Sequence, residues 1–202
     1  MRIITTQATV DRETCTGCRT CERVCPTESI KIGDDKKAHV NTDTCSGCGN
    51  CESRCPVLAI KLVALKEKKV VGVDYTKAPL DEVVALCKKA RFNPQAVVCY
   101  CTGTRAREVA ASILLGAKTP EEVSRRTGIR TGCTVECIQP ILRLLTAAGV
   151  ELGKAPGWQW YGLTPTSWDL PDGVVKNPEF SKFYFEDDRK LMERVVDAKG
   201  GA

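Results

Sequence analysis

The feature that most constrains this chain is a cysteine motif that occurs twice. The stretch CTGCRTCERVCP, Cys15–Pro26, holds four cysteines in eleven residues and ends in Cys-Pro. It returns thirty residues later as CSGCGNCESRCP, Cys45–Pro56, and ten of the eighteen positions in Thr14–Lys31 are identical in the second copy. Three cysteines at i, i+3 and i+6 let a short loop surround one metal centre, and Gly17 and Gly47 permit the tight curvature of such a loop. The sequence therefore predicts two similar metal-binding loops.

The total cysteine count supports metal ligation over disulfide bonds. The chain has 202 residues and thirteen cysteines, which is an odd number. The first residues, MRIITTQATV, lack an apolar signal-peptide core, and no apolar run approaches the roughly 18 residues that cross a bilayer. These observations predict a cytoplasmic protein without a membrane span, in a reducing compartment where disulfide frameworks are rare.

The kind of metal centre follows from the ligand spacing. Structural zinc sites usually pair two short arms across a longer spacer and do not pack four cysteines into one arm. The only histidine, His39, lies in the predicted strand AHVN between the motifs, whereas a Rieske centre needs two histidines. We therefore interpret the repeat as an iron-sulfur motif and His39 as a surface or half-buried side chain outside the ligand set.

The two motifs together resemble the bacterial-type ferredoxin with two 4Fe-4S clusters, over a domain that we place at residues 1–65. In ferredoxins of this type the fourth cysteine of each motif ligates the other cluster, so the fourth thiol is set apart because it crosses over. The resemblance implies an α+β fold with a ferredoxin-like, pseudo-twofold dicluster domain. It also implies two crossed ligand sets, which are Cys15, Cys18, Cys21 and Cys55 for one cluster and Cys45, Cys48, Cys51 and Cys25 for the other.

A linker with one helix is predicted between this domain and the next, over residues 66–96. The segment PLDEVVALCKKARFN has acidic residues near its start and lysines near its end, which is typical of a helix. Its pattern places Val83, Val84 and Cys87 on one face. We interpret Cys87 as a core residue, because free cysteine is commonly buried.

Four further cysteines lie in a third region, residues 97–150, as Cys99-x-Cys101 and Cys133-x3-Cys137. The pattern between and after them predicts three helices. The first covers 105–115 and stops at Gly116, the second follows the capping sequence Thr119-Pro-Glu-Glu and stops at Gly128, and the third runs from near Cys137 to Gly149. Both cysteine pairs precede or open helices, where unpaired N–H groups favour an anionic centre.

This third region resembles the bacterioferritin-associated ferredoxin type of 2Fe-2S domain over about 97–145, including the GA-TPEEV segment between the cysteine pairs. The resemblance implies a small all-α domain whose 2Fe-2S cluster is held by Cys99, Cys101, Cys133 and Cys137. The later pair is usually C-x2-C, whereas CTVEC inserts one residue. A third 4Fe-4S cluster is the alternative that this insertion leaves open.

A competing interpretation of the third region is a helix-turn-helix. The segment TPEEVSRRTGIR is similar to such a motif and is flanked by arginines, which are Arg105, Arg107, Arg125, Arg126 and Arg130. A recognition helix is expected to be polar and to face a DNA groove. The next segment is instead a cysteine pair followed by IQPILRLLTAAG, which is apolar and contains Pro140. The pattern therefore favours no nucleic-acid binding.

The remaining residues, 151–202, form an aromatic-rich tail. Eight of the eleven aromatic residues lie in Trp158–Phe185, and the segment Pro156–Gly173 is rich in proline and glycine. The pattern predicts irregular chain followed by a terminal helix with an acidic start. Two interpretations stay open, a lid folded over the protein's own domains and a docking segment whose aromatic side chains anchor in a partner.

The sequence contains no constellation of catalytic residues and no glycine-rich phosphate loop, so we expect no catalytic site of its own. Its formal net charge is +5, but two 4Fe-4S centres and one 2Fe-2S centre at about −2 each would bring it to about −1. The basic side chains then compensate the cofactors locally and do not indicate a nucleic-acid partner.

We therefore expect an iron-sulfur electron-transfer protein that serves as the relay subunit of a larger anaerobic oxidoreductase. The bacterioferritin-associated ferredoxin type of domain often accompanies flavin-containing oxidoreductases, so the resemblance implies a flavoprotein partner. A free soluble ferredoxin and a redox-sensing regulator are the alternatives. The long aromatic tail favours the relay subunit, because a free ferredoxin has little need of it.

Overall fold

An antiparallel ribbon frames the N-terminal region. The computed structural model describes residues 1–199, in which the first and last strands of this region pair from Arg2↔Val71 to Val10↔Ile60. The elements of the region are β1 (Arg2–Val10), α1 (Thr20–Val24), β2 (Ile30–Ile32), β3 (Ala38–Val40), α2 (Asn50–Arg54) and β4 (Ile60–Val71). Strands β2 and β3 form a second antiparallel pair, and α1 contacts α2. The predicted mixture of helix and sheet is confirmed.

The local backbone repeats with the sequence. Both short helices begin after a residue in the left-handed region, Arg19 with φ 64° and Gly49 with φ 79°. Both end at the fourth cysteine of the motif, and Cys25 and Cys55 have nearly the same extended conformation. Each half therefore delivers its last cysteine from the C-terminal end of a one-turn helix.

The ribbon extends past residue 65, the predicted end of the first domain, and reaches the helical region. Strand β4 continues to Val71. The Arg2 side chain at the end of the ribbon donates from Nη1 to the carbonyl oxygen of Thr131 at 2.9 Å and packs against Gly128. The ribbon thus belongs to the dicluster region at one end and contacts the helical region at the other.

The second region is built from helices around one small hairpin. Its elements are α3 (Leu80–Lys89), β5 (Val97–Cys99), β6 (Thr104–Arg105), α4 (Ala106–Leu114), α5 (Pro120–Thr127) and α6 (Ile138–Ala147). The hairpin departs from the all-α prediction. It forms because Gly103, with φ 65°, lets the chain reverse directly after the first cysteine pair.

The core of this region contains the helix that the sequence places in the linker. Helix α3 packs on α4 and α6 through Val83, Leu86 and Cys87. Cys87 is fully buried, which confirms its predicted role in the core. Val84 does not share this face, because it is 39% exposed. Val84 follows Val83 directly and therefore points about 100° away from it around the helix. The buried face predicted to contain Val84 contains Leu86 instead.

The predicted helix boundaries between the cysteine pairs are confirmed. Thr119 caps α5 by accepting a hydrogen bond from the Glu122 backbone N–H at 3.1 Å, with Pro120 in the first turn. Gly128 follows the helix in the left-handed conformation with φ 77°. The capping box is altered in its return hydrogen bond. The Glu122 side chain accepts from the backbone N–H of Lys118, one residue before the Thr119 N–H that a standard capping box would use.

The tail is irregular at first, and its terminal helix folds back. It contains a 3-10 turn (Ser167–Asp169), α7 (Asp172–Val175), a second 3-10 segment (Pro178–Phe183) and α8 (Phe185–Asp197). The acidic first turn of α8 is as predicted. Asn93 donates to the carbonyl oxygens of Val195 at 2.9 Å and Ala198 at 2.8 Å, which anchors the end of α8. Within residues 1–199, no helix combines the length and the apolar character needed to cross a bilayer.

Candidate metal centres

The two cysteine loops are pressed against neighbouring backbone at their glycines. A Cβ atom on Gly17 would lie 2.1 Å from the Lys36 carbonyl oxygen, and one on Gly47 would lie 2.3 Å from that of Thr6. Both glycines have positive φ, 71° and 59°. A side chain is excluded at each position by contact and by conformation, so glycine lets each loop close around its thiols.

The first three cysteines form one group. Cys15 and Cys21 are buried and Cys18 is exposed. Burial raises the pKa of Cys21 to about 11, and the neighbouring Cys18 and Cys15 add to the shift. Hydrogen bonds from Thr20 lower the pKa of Cys18. Cys55, the fourth residue of the predicted set, packs against a buried cluster that contains Cys15 and Cys21 and also Cys51 of the second motif.

The second group includes the cysteine that crosses between the motifs. The pKa of Cys51 is raised to about 12, chiefly by burial. The neighbouring thiols add smaller increases, in the order Cys48, Cys25 and Cys45. Burial also raises the pKa of Cys48, to which Cys25 and Cys45 contribute. Cys25 belongs to the first motif, yet it lies close enough to Cys48 and Cys51 of the second for its charge to act on both. The crossed ligand set stays a prediction, which this closeness favours.

The surroundings of these thiols suit an anionic, sulfur-rich group. The Ser29 N–H donates to Cys25 Sγ at 3.2 Å, and thirty residues later the Ala59 N–H donates to Cys55 Sγ at 3.3 Å. One buried donor of the second loop, Asn50 Nδ2, has no hydrogen-bond partner within the described residues. Buried polar groups normally have partners, so this donor fits a cofactor between the thiols.

The last four cysteines also come together. Cys99 and Cys137 are buried and joined by a hydrogen bond between their side chains, which lowers the pKa of Cys99 to about 5 and raises that of Cys137. The exposed pair meets as well, because the Cys133 N–H donates to Cys101 Sγ at 3.5 Å. The β5–β6 hairpin and the loop before α6 thus place two thiols inside and two at the surface.

Backbone donors surround the outer side of this third group. The N–H groups of Glu136 and Val135 lower the pKa of Cys133. Cys137 is the N-cap residue of α6, a helix of ten residues. The predicted placement of the second pair at a helix start is confirmed, and the free N–H groups there stabilise negative charge on sulfur.

Sequence reasoning missed one residue at this third group, Arg130. Its side chain is fully buried, and Nη1 donates to Glu121 Oε1 at 2.8 Å. Nη2 donates to Gln159 Oε1 of the tail at 2.5 Å, whereas Nε has no hydrogen-bond partner among the described residues. The sequence signal was its position three residues before Cys133, which the abundance of nearby arginines concealed.

The other arginines of the helix-turn-helix alternative are also engaged within the chain. The guanidinium carbon of Arg107 lies 4.0 Å from the centre of the Tyr75 ring. Arg125 donates to the Thr27 carbonyl oxygen at 3.0 Å. Arg126 donates to the Leu115 carbonyl oxygen at 2.6 Å. Helix α6, which follows the turn, is packed into the core. The structure therefore does not present this segment as a recognition helix with a free basic face.

No three side chains among His, Cys, Asp and Glu are grouped at single-ion distance within residues 1–199. His39 lies in β3, is about half exposed, and contacts Asp35 at 3.0 Å. It is a surface residue, as predicted.

Two protein families match this chain in separate segments. The 4Fe-4S dicluster domain family matches residues 7–71, and the BFD-like [2Fe-2S] binding domain family matches residues 97–147. No curated protein and no solved structure matched the chain significantly. The predicted fusion is confirmed, so the chain carries a dicluster 4Fe-4S domain followed by a BFD-like [2Fe-2S] domain.

Proposed function

We propose that this chain, which joins a dicluster domain to a BFD-like domain, is the electron-relay subunit of an anaerobic oxidoreductase with a flavoprotein partner. Both domain types indicate iron-sulfur electron transfer. The observation that carries the proposal is that contacts join the regions bearing the three thiol groups. Arg2 from the ribbon binds the Thr131 carbonyl oxygen, and Arg125 from α5 binds that of Thr27.

The proposal assigns each thiol group one cluster. The residues are Cys15, Cys18, Cys21 and Cys55 for one 4Fe-4S cluster, Cys45, Cys48, Cys51 and Cys25 for the other, and Cys99, Cys101, Cys133 and Cys137 for a 2Fe-2S cluster. When bound, such clusters supply sites that accept and release one electron at a time. The chain holds the thiols in position, keeps water from the buried ones and directs N–H groups at sulfur, which favours negative charge there.

The surface of the third group supports a protein partner. Cys101 and Cys133 reach the surface, and the residues beside them are apolar and exposed, Tyr100 by 87% and Val135 by 65%. Exposed aromatic and apolar side chains around a recognition point are typical of binding interfaces. A partner that covers Tyr100 and Val135 would come close to the two outer thiols, and a flavoprotein would exchange electrons there.

The tail contributes to both open interpretations. Gln159 and Tyr161 turn inward to Arg130 and Glu121, which supports a lid. Trp158 and Trp160 alternate with them and are 59% and 61% exposed, which supports docking. Removal of the whole segment would disturb the buried contacts, so replacement of the two tryptophans is the cleaner test of partner binding.

Anaerobic affinity purification of the full chain tests the proposal. We expect about ten irons per chain, with matching sulfide, and a co-purifying flavoprotein. Tyr100→Ser with Val135→Ser, or Trp158→Ser with Trp160→Ser, should release the partner and keep all the iron. The control is Leu115→Ser, an exposed apolar residue at the end of α4. Zinc in place of iron would refute the electron-transfer function, and about twelve irons would replace the 2Fe-2S cluster by a third 4Fe-4S cluster.

A further inference from the structure

A buried ion pair involves Arg130, which lies three residues before Cys133. The side chains of Arg130 and Glu121 are almost completely excluded from solvent, and their Nη1 and Oε1 atoms are 2.8 Å apart. Taking two charges out of water costs free energy that their attraction often fails to recover, so apolar residues of the same size would frequently be as stable. The ion pair therefore calls for an explanation beyond stability.

The position of Arg130 relative to the thiols supplies that explanation. Its φ of 65° is left-handed, and it opens the short loop that leads to Cys133. That loop is pressed against the thiols, because a Cβ atom on Gly132 would lie 2.9 Å from Cys101 Sγ and the Cys133 N–H donates to the same sulfur at 3.5 Å. Arg130 therefore places a fully buried guanidinium at the base of the loop that closes over this thiol group.

The guanidinium keeps one donor free. Nε is buried and has no hydrogen-bond partner among residues 1–199, although Nη1 and Nη2 both have one. Leaving a buried donor unsatisfied costs the free energy that removed it from water. An anionic sulfur centre beside Arg130 would give this donor or the charge behind it a counterpart.

The tail closes over the other side of the ion pair. The Tyr161 hydroxyl donates to Glu121 Oε2, and Gln159 Oε1 accepts from Arg130. Burial and the contact with Glu121 raise the pKa of Tyr161, so the phenol stays protonated and remains a donor. The carboxylate of Glu121 is thus satisfied by two donors and holds the guanidinium in place.

We propose that Arg130 sets the reduction potential of the centre held by Cys99, Cys101, Cys133 and Cys137, and that Glu121 and Tyr161 act as positioning residues for it. This inference rests on the proposed function. Reduction adds one negative charge to the centre, and a fixed cation that is fully buried stabilises that charge with little screening. Arg130 therefore raises the potential, and Glu121 lowers it in part because it bears the opposite charge.

Potentiometric titration of the full chain, followed by paramagnetic resonance, tests the inference. Arg130→Gln should lower the equilibrium constant for reduction of this centre at least tenfold, which is a shift of about 59 mV to lower potential for one electron. Glu121→Gln should shift the same potential upward. Opposite signs from two partners of one ion pair are not produced by a merely structural role.

Matched controls keep the inference falsifiable. Arg126→Gln removes an exposed arginine of α5 that binds backbone carbonyl oxygens, and it should change no potential. Should Arg130→Gln lose iron, Arg130→Lys and Glu121→Gln carry the test. Unchanged potentials, or shifts of the same sign in both partners, with the iron retained would overturn this inference alone. A wild-type chain without iron would overturn the proposed function together with it.

Discussion

The two halves of the dicluster region have the same cysteine spacing but different surroundings. In the first half, Pro26 and Thr27 are buried, and Arg125 of the helical region binds the Thr27 carbonyl oxygen and pairs with Glu28 at 3.8 Å. In the second half the corresponding turn faces solvent, and Leu58 is 75% exposed. The first half is therefore part of an interface within the chain, and the second half is open.

The side chains next to the crossing cysteines differ in the same way. Thr27 Oγ1 lies 3.6 Å from Cys25 Sγ and 2.7 Å from Ser29 Oγ, and this hydroxyl pair is buried. The corresponding residues near Cys55 are Val57 and Ala59, which have no hydroxyl group. The comparison teaches that cysteine spacing decides which thiols meet, whereas the residues between the motifs decide the polarity around each thiol.

The largest effect is expected from replacing Cys55, a cysteine that is predicted to cross between the two halves. Cys55→Ser should remove or convert the cluster of Cys15, Cys18 and Cys21, with loss of up to about four irons, because its fourth ligand comes from the other half. The difference between the wild-type and Cys55→Ser paramagnetic resonance spectra should match the difference between the wild-type and Cys15→Ser spectra. A match to Cys45→Ser instead would show that each motif holds its own cluster.

A large effect on stability is expected at the loop glycines. Gly17→Ala forces a side chain into a left-handed conformation and against the Lys36 carbonyl oxygen, so we expect a loss of about 3 kcal/mol or more in the free energy of unfolding. Gly49→Ala is the control, since a Cβ atom there would meet only Leu62 at 3.5 Å. It should cost about 1 kcal/mol. Anaerobic urea unfolding measures both, and equal losses would contradict the steric argument.

A smaller effect is expected from exchanging the polar and apolar neighbours. Thr27→Val removes a hydroxyl beside Cys25. It should lower the equilibrium constant for reduction of the cluster assigned to Cys25, Cys45, Cys48 and Cys51 about threefold to tenfold, as for one net hydrogen bond. The reciprocal change, Val57→Thr, should raise the equilibrium constant for reduction of the cluster to which Cys55 is assigned. Redox titration with resolved cluster signals measures both shifts. Two shifts in the same direction would show that the hydroxyl is not the cause.

The smallest effect concerns the residues before the short helices. Arg19 has the left-handed conformation that Gly49 has in the second half. Arg19→Gly should therefore stabilise the protein by about 1 kcal/mol, although it loses an exposed ion pair with Glu22. Anaerobic urea unfolding would detect the gain. A loss would show that the Glu22 pair contributes more than an exposed pair usually does.

The sequence was sufficient for the features that depend on local pattern. The repeat, the capping of α5 by Thr119 and its stop at Gly128 were predictable, because each rests on a few residues with a defined backbone preference. The β5–β6 hairpin was missed because it is only a few residues long and depends on one turn glycine. The continuation of β4 was missed because its partner residues lie almost seventy positions away, at the start of the chain, as in the pair Arg2↔Val71.

The neighbours of the thiols were much harder to predict. Arg130 was one of five arginines that flank the helix-turn-helix-like segment in the sequence, yet it is buried against Glu121 and Gln159. A charged side chain is rarely buried, and nothing local to TGIRTGC indicates that carboxylate and amide partners come from α5 and the tail. Such a site becomes visible only when the tertiary contacts are known.

The ribbon that links the two regions has a kinetic consequence. Its end is fixed to the helical region by Arg2, and the first cysteine half is fixed to α5 by Arg125. For clusters held in this chain, the electron would move between sites at a set separation within one molecule. Its rate would then be first-order and insensitive to viscosity and to protein concentration, whereas two separate ferredoxins would have to diffuse and collide for every transfer.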